Sequence, residues 1–227
     1  MGRMARKRYI IRIAAATSVV FFSLAAVGCP RLIGGEEHEK KEAVKKLFDS
    51  AYTHYQAGDY EAAISDYDEI VGIAPNFAET YFHLGECYNK MGRYEESYAS
   101  YAKASDLAPE EYEYAFNAGA AGAQAEGFEG AVDYFMRAAA LRPDDAEAYK
   151  YLGAVERQAG MYVESEEALS KALELKPYDG FALYNLALLY EEAYPAQAPA
   201  VWRALLEEGR DCESDWLDSA RTRLGGE

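Results

Sequence analysis

Four prolines, Pro75, Pro109, Pro143 and Pro177, recur with a fixed 34-residue period. A spacing that recurs without drift means one structural unit copied in series, and it constrains everything else in the chain. Counting back from each proline gives blocks 44–77, 78–111, 112–145 and 146–179, with a partial fifth from Gly180. The blocks agree column by column. The eighth column reads Ala51, Gly85, Gly119, Gly153, Ala187; the seventeenth Tyr60, Tyr94, Phe128, Tyr162; the twentieth Ala63, Ser97, Ala131, Ser165; and the twenty-fourth Tyr67, Tyr101, Phe135, Leu169. In the first half of a block, columns 4, 7, 8 and 11 share one face of a helix. In the second block these are Tyr81, Leu84, Gly85 and Tyr88, so a small residue lets two helices approach while larger ones fill the flanks. Gly58, Gly92 and Gly160 fall where the chain must reverse between two helices, and the prolines close each block because proline cannot continue a helix. One helix pair cannot bury its own apolar face, so the neighbouring pairs must supply the core. Packing columns also account for many of the 20 tyrosines without invoking a site.

"AGDYEAAISDYDEIVGIAP" (Ala57–Pro75) and "MGRYEESYASYAKASDLAP" (Met91–Pro109) resemble the second-helix pattern of the tetratricopeptide repeat. The resemblance implies an all-α, right-handed α-solenoid of helix–turn–helix units over 43–193, followed by a degenerate helix and a C-terminal capping helix over 194–227. Two blocks depart from the pattern. The third places its turn glycine one position late, at Gly127, and has a small-residue first helix, Ala115–Ala125, that should pack closely or be locally weak. In the fifth, Pro195 and Pro199 interrupt, and Asp211 stands where the closing proline belongs. Residues Pro199–Gly209 read as a modified second helix and Ser214–Leu224 as a final helix with Ser214 as its N-cap. Trp202, Leu205, Leu206, Trp216 and Leu217 are expected to seal the last core edge.

The N-terminus is organised differently. Arg3, Arg6, Lys7, Arg8 and Arg12 precede an apolar stretch from Ile13 to Val27, and no acidic residue occurs before Glu36. That stretch is short for a bilayer helix, which needs about 20 residues. A basic segment, a short apolar segment and small residues describe a secretory signal peptide. Ala26-Val27-Gly28 directly before Cys29 resembles the lipobox of bacterial lipoproteins, which implies a signal peptide over 1–28, cleavage before Cys29, acylation of that cysteine and a membrane anchor. A plain signal peptide cut elsewhere and an uncleaved anchor from Ile10 are the other readings of the same residues. Residues 29–42, with a proline, paired glycines and dense charge, read as a linker or tether. The resulting expectation is an exported, membrane-anchored protein of the cell envelope, on the periplasmic face or the cell surface.

Charge excludes one class of partner. The chain carries a formal charge of -16, and the basic residues of the N-terminal segment make the remainder more acidic still, so nucleic acid would be repelled. Chemistry is also unsupported. There is no glycine-rich phosphate loop, nucleophile elbow or paired-cysteine zinc spacing. His83 and Cys87 share a helix face but make only half a metal site. Asp144-Asp145 is explained by helix capping. No catalytic residue, metal, cofactor or small-molecule substrate is therefore assigned. Cys87 and Cys212 lie nearly three repeats apart, too far for an internal disulfide.

What remains is a binding surface. Resemblance to the repeat family implies that the first helices line a groove through columns 2, 5, 6, 9, 12 and 13. The lining residues singled out are Phe48, Phe82, Phe116, Lys150 and Tyr184 in column 5, His83, Asn117 and Asn185 in column 6, Tyr52 and Glu86 in column 9, and Tyr55 and Asn89 in column 12. Column 2 supplies Glu79, Glu113 and Glu147. Aromatic rings suit apolar side chains and amides suit a peptide backbone. The carboxylate clamp of chaperone-binding relatives does not carry over, since Phe48 and Tyr52 replace its first lysine and asparagine and the glutamates oppose an anion. Protein or peptide partners with apolar or basic segments are expected, which makes the chain a scaffold or assembly factor. A self-associating envelope protein and an envelope enzyme on a helical body are the alternatives.

Overall fold

The 34-residue period reappears as helix starts. The computed structural model describes residues 30–125 and 127–225; residues 1–28, read from the sequence as a signal peptide, and Cys29 lie outside them. The elements are α1 (Pro30–Ala57), α2 (Tyr60–Ile73), α3 (Ala78–Lys90), α4 (Tyr94–Leu107), α5 (Tyr112–Gln124), α6 (Phe128–Leu141), α7 (Ala146–Gln158), α8 (Tyr162–Leu175), α9 (Gly180–Ala193), α10 (Ala198–Glu208) and α11 (Ser214–Arg223). The second helices α2, α4, α6 and α8 begin exactly one period apart, as do the first helices α3, α5, α7, α9 and α11. Two compact units are distinguished, Met1–His38 and Glu39–Glu227. The first is described only over 30–38, which are helical. The second is the repeat body, an all-α solenoid in which each helix packs against its neighbours in sequence.

The shared columns do the packing. Tyr67, Tyr101, Phe135 and Leu169 of column 24 are all fully buried, each contributing about 1.5–3 kcal/mol of hydrophobic stabilisation. They fit because column 8 is small. A β-carbon added at Gly85 would lie 2.7 Å from the Tyr101 ring, one at Gly119 2.8 Å from Phe135, and one at Gly153 2.5 Å from Leu169. Ser97 and Ser165 of column 20 seal the same junctions by donating buried hydrogen bonds to Gly85 O (2.9 Å) and Gly153 O (2.6 Å). The reversals at Gly58, Gly92 and Gly160 have φ of +80°, +71° and +78°, left-handed backbone that glycine adopts without steric cost. Asp59, Asp145 and Asp179 cap α2, α7 and α9 through their side chains. The small-residue helix α5 packs closely: Ala115, Ala118, Gly119, Ala121 and Gly122 are buried, and the Tyr98 ring closes on Gly122.

Three sequence expectations are revised. Residues 30–42, read as a linker, are helical from Pro30 onward. Proline is well placed at a helix start, and Glu37 and Lys41 stand at the i,i+4 spacing that supports a helix. Ser214 is the first helical residue of α11, and Glu213 is its N-cap without a side-chain capping bond. Finally, α11 begins one full period after Gly180, so the C-terminal cap is the first helix of a sixth unit, held in register although proline is replaced by Asp211. A backbone exchange substitutes for that proline's order: Arg210 N–H donates to Tyr178 O at 2.7 Å and Gly180 N–H to Arg210 O at 2.8 Å. Trp202, Leu205 and Ala220 are buried there with Leu206, Trp216 and Leu217 packed around them. Cys87 and Cys212 are free thiols. Among the described residues no helix is long and apolar enough to cross a membrane.

Candidate partner-binding face

The first helices place their column-5 and column-6 side chains in a row because those columns recur once per repeat on one helix face. From the N-terminal end, Phe48 sits 6.1 Å from Phe77, 5.6 Å from Tyr67 and 5.2 Å from His83. His83 stacks on Tyr67 at 5.7 Å and meets Phe82 edge-on at 5.5 Å. Phe82 in turn contacts Tyr101 (5.4 Å) and stacks on Tyr114 (4.8 Å). A second run begins with Tyr112 and Phe116 and continues through Tyr151, Phe181 and Trp216 to Tyr184, with centroid separations of 5.0–5.9 Å. Ring pairs at these distances add rigidity and about 0.5–1.5 kcal/mol each beyond burial.

The twelve side chains singled out from the sequence fall into distinct situations. Phe48, Phe82, His83 and Glu86 are half-buried and come together near the N-terminal end, where Tyr52 is 52% exposed. Asn89 is half-buried on the same helix as Phe82. Tyr55 points to the interior instead, edge-on to Tyr60 at 5.6 Å and packed on the core. Phe116 is half-buried between Tyr112 and Tyr151. Asn117 and Asn185 each donate an amide N–H to a carbonyl of their own helix, Glu113 O (2.7 Å) and Phe181 O (3.0 Å), and Asn185 is buried. Tyr184 is stacked under Trp216 of α11 at 5.2 Å, and Lys150 is only 9% exposed. The open part of the face is therefore its N-terminal half. Tyr151 and Phe181, which carry the ring path, occupy columns 6 and 2. Their aromatic character in lining columns was the available signal.

Carboxylates edge this face. Glu113 accepts from Arg142 at 2.6 Å, and Glu147 pairs with Lys150 at 2.6 Å. Glu79 has His83 Nε2 at 4.0 Å, while His83 Nδ1 lies 2.6 Å from Glu86. The phenol of Tyr114 is pushed up chiefly by burial and to a smaller extent by the nearby carboxylates Glu79, Glu111 and Glu113. Asp179 illustrates the opposite balance. Burial raises its pKa, but the Lys176 and Ala182 N–H hydrogen bonds and the Lys150 charge outweigh it, and the net shift is downward. Among the described residues no group of three or more potential metal ligands occurs.

Two family models described as tetratricopeptide repeat match residues 54–121 and 116–180, together more than half of the chain. None of the curated proteins matches it. Among solved structures, one of MamA is 25% identical with a TM-score of 0.68, covering 82% of this chain and 97% of that one. A second MamA structure is 28% identical with a TM-score of 0.62, covering 70% and 93%. YrrB, described as a TPR protein with an unusual peptide-binding site, is 21% identical with a TM-score of 0.70, covering 83% and 97%, a likeness of fold.

Proposed function

This chain belongs to the tetratricopeptide repeat family, and from that premise we propose that it is a protein-interaction scaffold whose first-helix face takes a peptide or helix of a partner protein. The observation that carries this reading is the row of half-buried rings along the first helices, open at Tyr52, Phe48 and Phe82 and edged by carboxylates. Rings of this kind supply rigid apolar contact at low entropic cost. The glutamates oppose acidic ligands, so apolar or basic segments are the favoured occupants. Replacing Phe82 and Phe116 by alanine should weaken partner capture in cells while leaving helix content intact. Unchanged capture would remove the face as the binding surface.

The second part of the proposal is location. A basic segment, a short apolar run and Ala26-Val27-Gly28-Cys29 support export and acylation at Cys29, with the scaffold held at a bacterial envelope membrane. Cys29→Ala should leave a folded array that no longer sediments with membranes. Retained membrane association would favour an uncleaved anchor instead.

A further inference from the structure

Columns 11, 16 and 19 flank the turn between the two helices of a unit. In the second unit they hold Tyr88, Arg93 and Glu96, which form one cluster: the Arg93 guanidinium lies over the Tyr88 ring at 4.6 Å and donates to Glu96 at 2.9 and 2.6 Å. The fourth unit fills the same columns with Glu156, Met161 and Glu164. In the third unit all three are glycine: Gly122, Gly127 and Gly130. A ring from the second unit enters part of the space. Tyr98 lies 3.1 Å from a β-carbon built on Gly122, and its hydroxyl 2.5 Å from one built on Gly130. Gly127 is left uncovered, since a β-carbon there meets nothing closer than Gly122 O at 3.4 Å. The result is a cavity of about 470 Å³ lined by Tyr98, Gly127, Phe128, Glu129, Gly130 and Ala159.

This cavity has two of the three parts of the second unit's cluster. Tyr98 supplies a ring, as Tyr88 does there, and Glu129 supplies a carboxylate. Glu129 and Asp133, one turn further along α6, are both exposed, and among the described residues neither makes an ion pair. The missing part is the cation: no lysine or arginine is among the described residues of the lining. The combination of ring face, cation and carboxylate recurs nearby at Arg137, which lies 5.4 Å over Tyr134 and 3.3 Å from Asp106. We propose that the cavity is a subsite for an arginine side chain of a partner protein, stacked on Tyr98 and paired with Glu129. Phe128 and Ala159 give the methylene stem an apolar wall. None of the lining residues belongs to columns 2, 5, 6, 9, 12 or 13, so the subsite is separate from the first-helix face and its failure leaves that face standing. Met136 stands two turns beyond Glu129 and outside the lining.

The test is a titration of the full chain with the tripeptide acetyl-Gly-Arg-Gly-amide and with its citrulline counterpart, followed by backbone amide shifts in NMR. The arginine peptide should move the amides of Gly127, Gly130 and Ala159 saturably, and the citrulline peptide should bind roughly tenfold more weakly. Gly127→Arg returns the column-16 arginine to the chain. The φ/ψ of -88/57 at Gly127 is close to the -90/72 of Arg93, and the added atom has room, so this variant keeps the fold and should abolish the response at Gly130 and Ala159. Glu129 is exposed, so Glu129→Gln also keeps the fold and should weaken the arginine peptide towards its citrulline counterpart. Equal responses to the two peptides, or a titration that leaves these three amides unmoved, would overturn the subsite. A preference for arginine that survives both variants would also overturn it.

Discussion

Glu156 gives the sharpest test of the packing. It occupies column 11 of the fourth unit, where the second and fifth units have Tyr88 and Tyr190. It is only 4% exposed, and its Oε2 has no hydrogen-bond partner. Burial, then Glu164 and Glu167, push its carboxyl from 4.5 up to about 7. The folded state therefore holds this proton more tightly than the unfolded chain does. Below the unfolded pKa both states are protonated and the group is neutral to stability; as pH rises towards and past 7 the folded state bears the full difference. A shift of this size costs about 3 kcal/mol at pH 8 and about 1 kcal/mol at pH 5. Glu156→Gln keeps the shape and removes the charge. Its stability relative to the parent, measured by urea unfolding followed by circular dichroism, should improve by about 2 kcal/mol more at pH 8 than at pH 5. Titration of carboxylates remote from Glu156 is common to both proteins and cancels. An equal effect at the two pH values, or a greater benefit at pH 5, would refute the assignment of a buried, unsatisfied carboxyl.

Two glycines should respond in opposite directions to alanine. Gly85→Ala meets the buried Tyr101 ring at 2.7 Å and should destabilise by about 1–3 kcal/mol; Gly72→Ala, inside α2 with nothing within 4 Å of the added atom, should stabilise by about 0.5–1 kcal/mol, both read from thermal melts. The Cys87 thiol is fully buried and pushed up to about 12 by burial and then by Glu86, so a thiol reagent at pH 8, mapped by peptide mass spectrometry, should label Cys212 while sparing Cys87 until the protein unfolds.

Much of the fold was legible because it depends on backbone register. A 34-residue column sets where helices start and which small residue faces which ring, and Gly85 against Tyr101 follows from that spacing alone. The helical character of residues 30–42 was obscured by Gly34-Gly35 and the charge density, although Glu37 and Lys41 carry a helical spacing. The register of α11 was hidden by the loss of the closing proline at Asp211, whose ordering role passes to the backbone bonds between Tyr178, Gly180 and Arg210. The candidate site was legible only as columns. Which lining residues stay open depends on neighbours contributed by other units: Trp216 covers Tyr184, and Glu147, Asp179 and two rings enclose Lys150. Such contacts join side chains of different units through rotamer choice, which periodicity does not encode.

The claim that partners dock on the first-helix face is tested most directly by photo-crosslinking in cells. A photoreactive phenylalanine analogue replaces Tyr52, 52% exposed on α1, or Met136, 53% exposed on the second helix α6. The account predicts a discrete adduct from position 52, lost when Phe82 is also replaced, and none from position 136. The same adduct from position 136 with none from position 52 would contradict it.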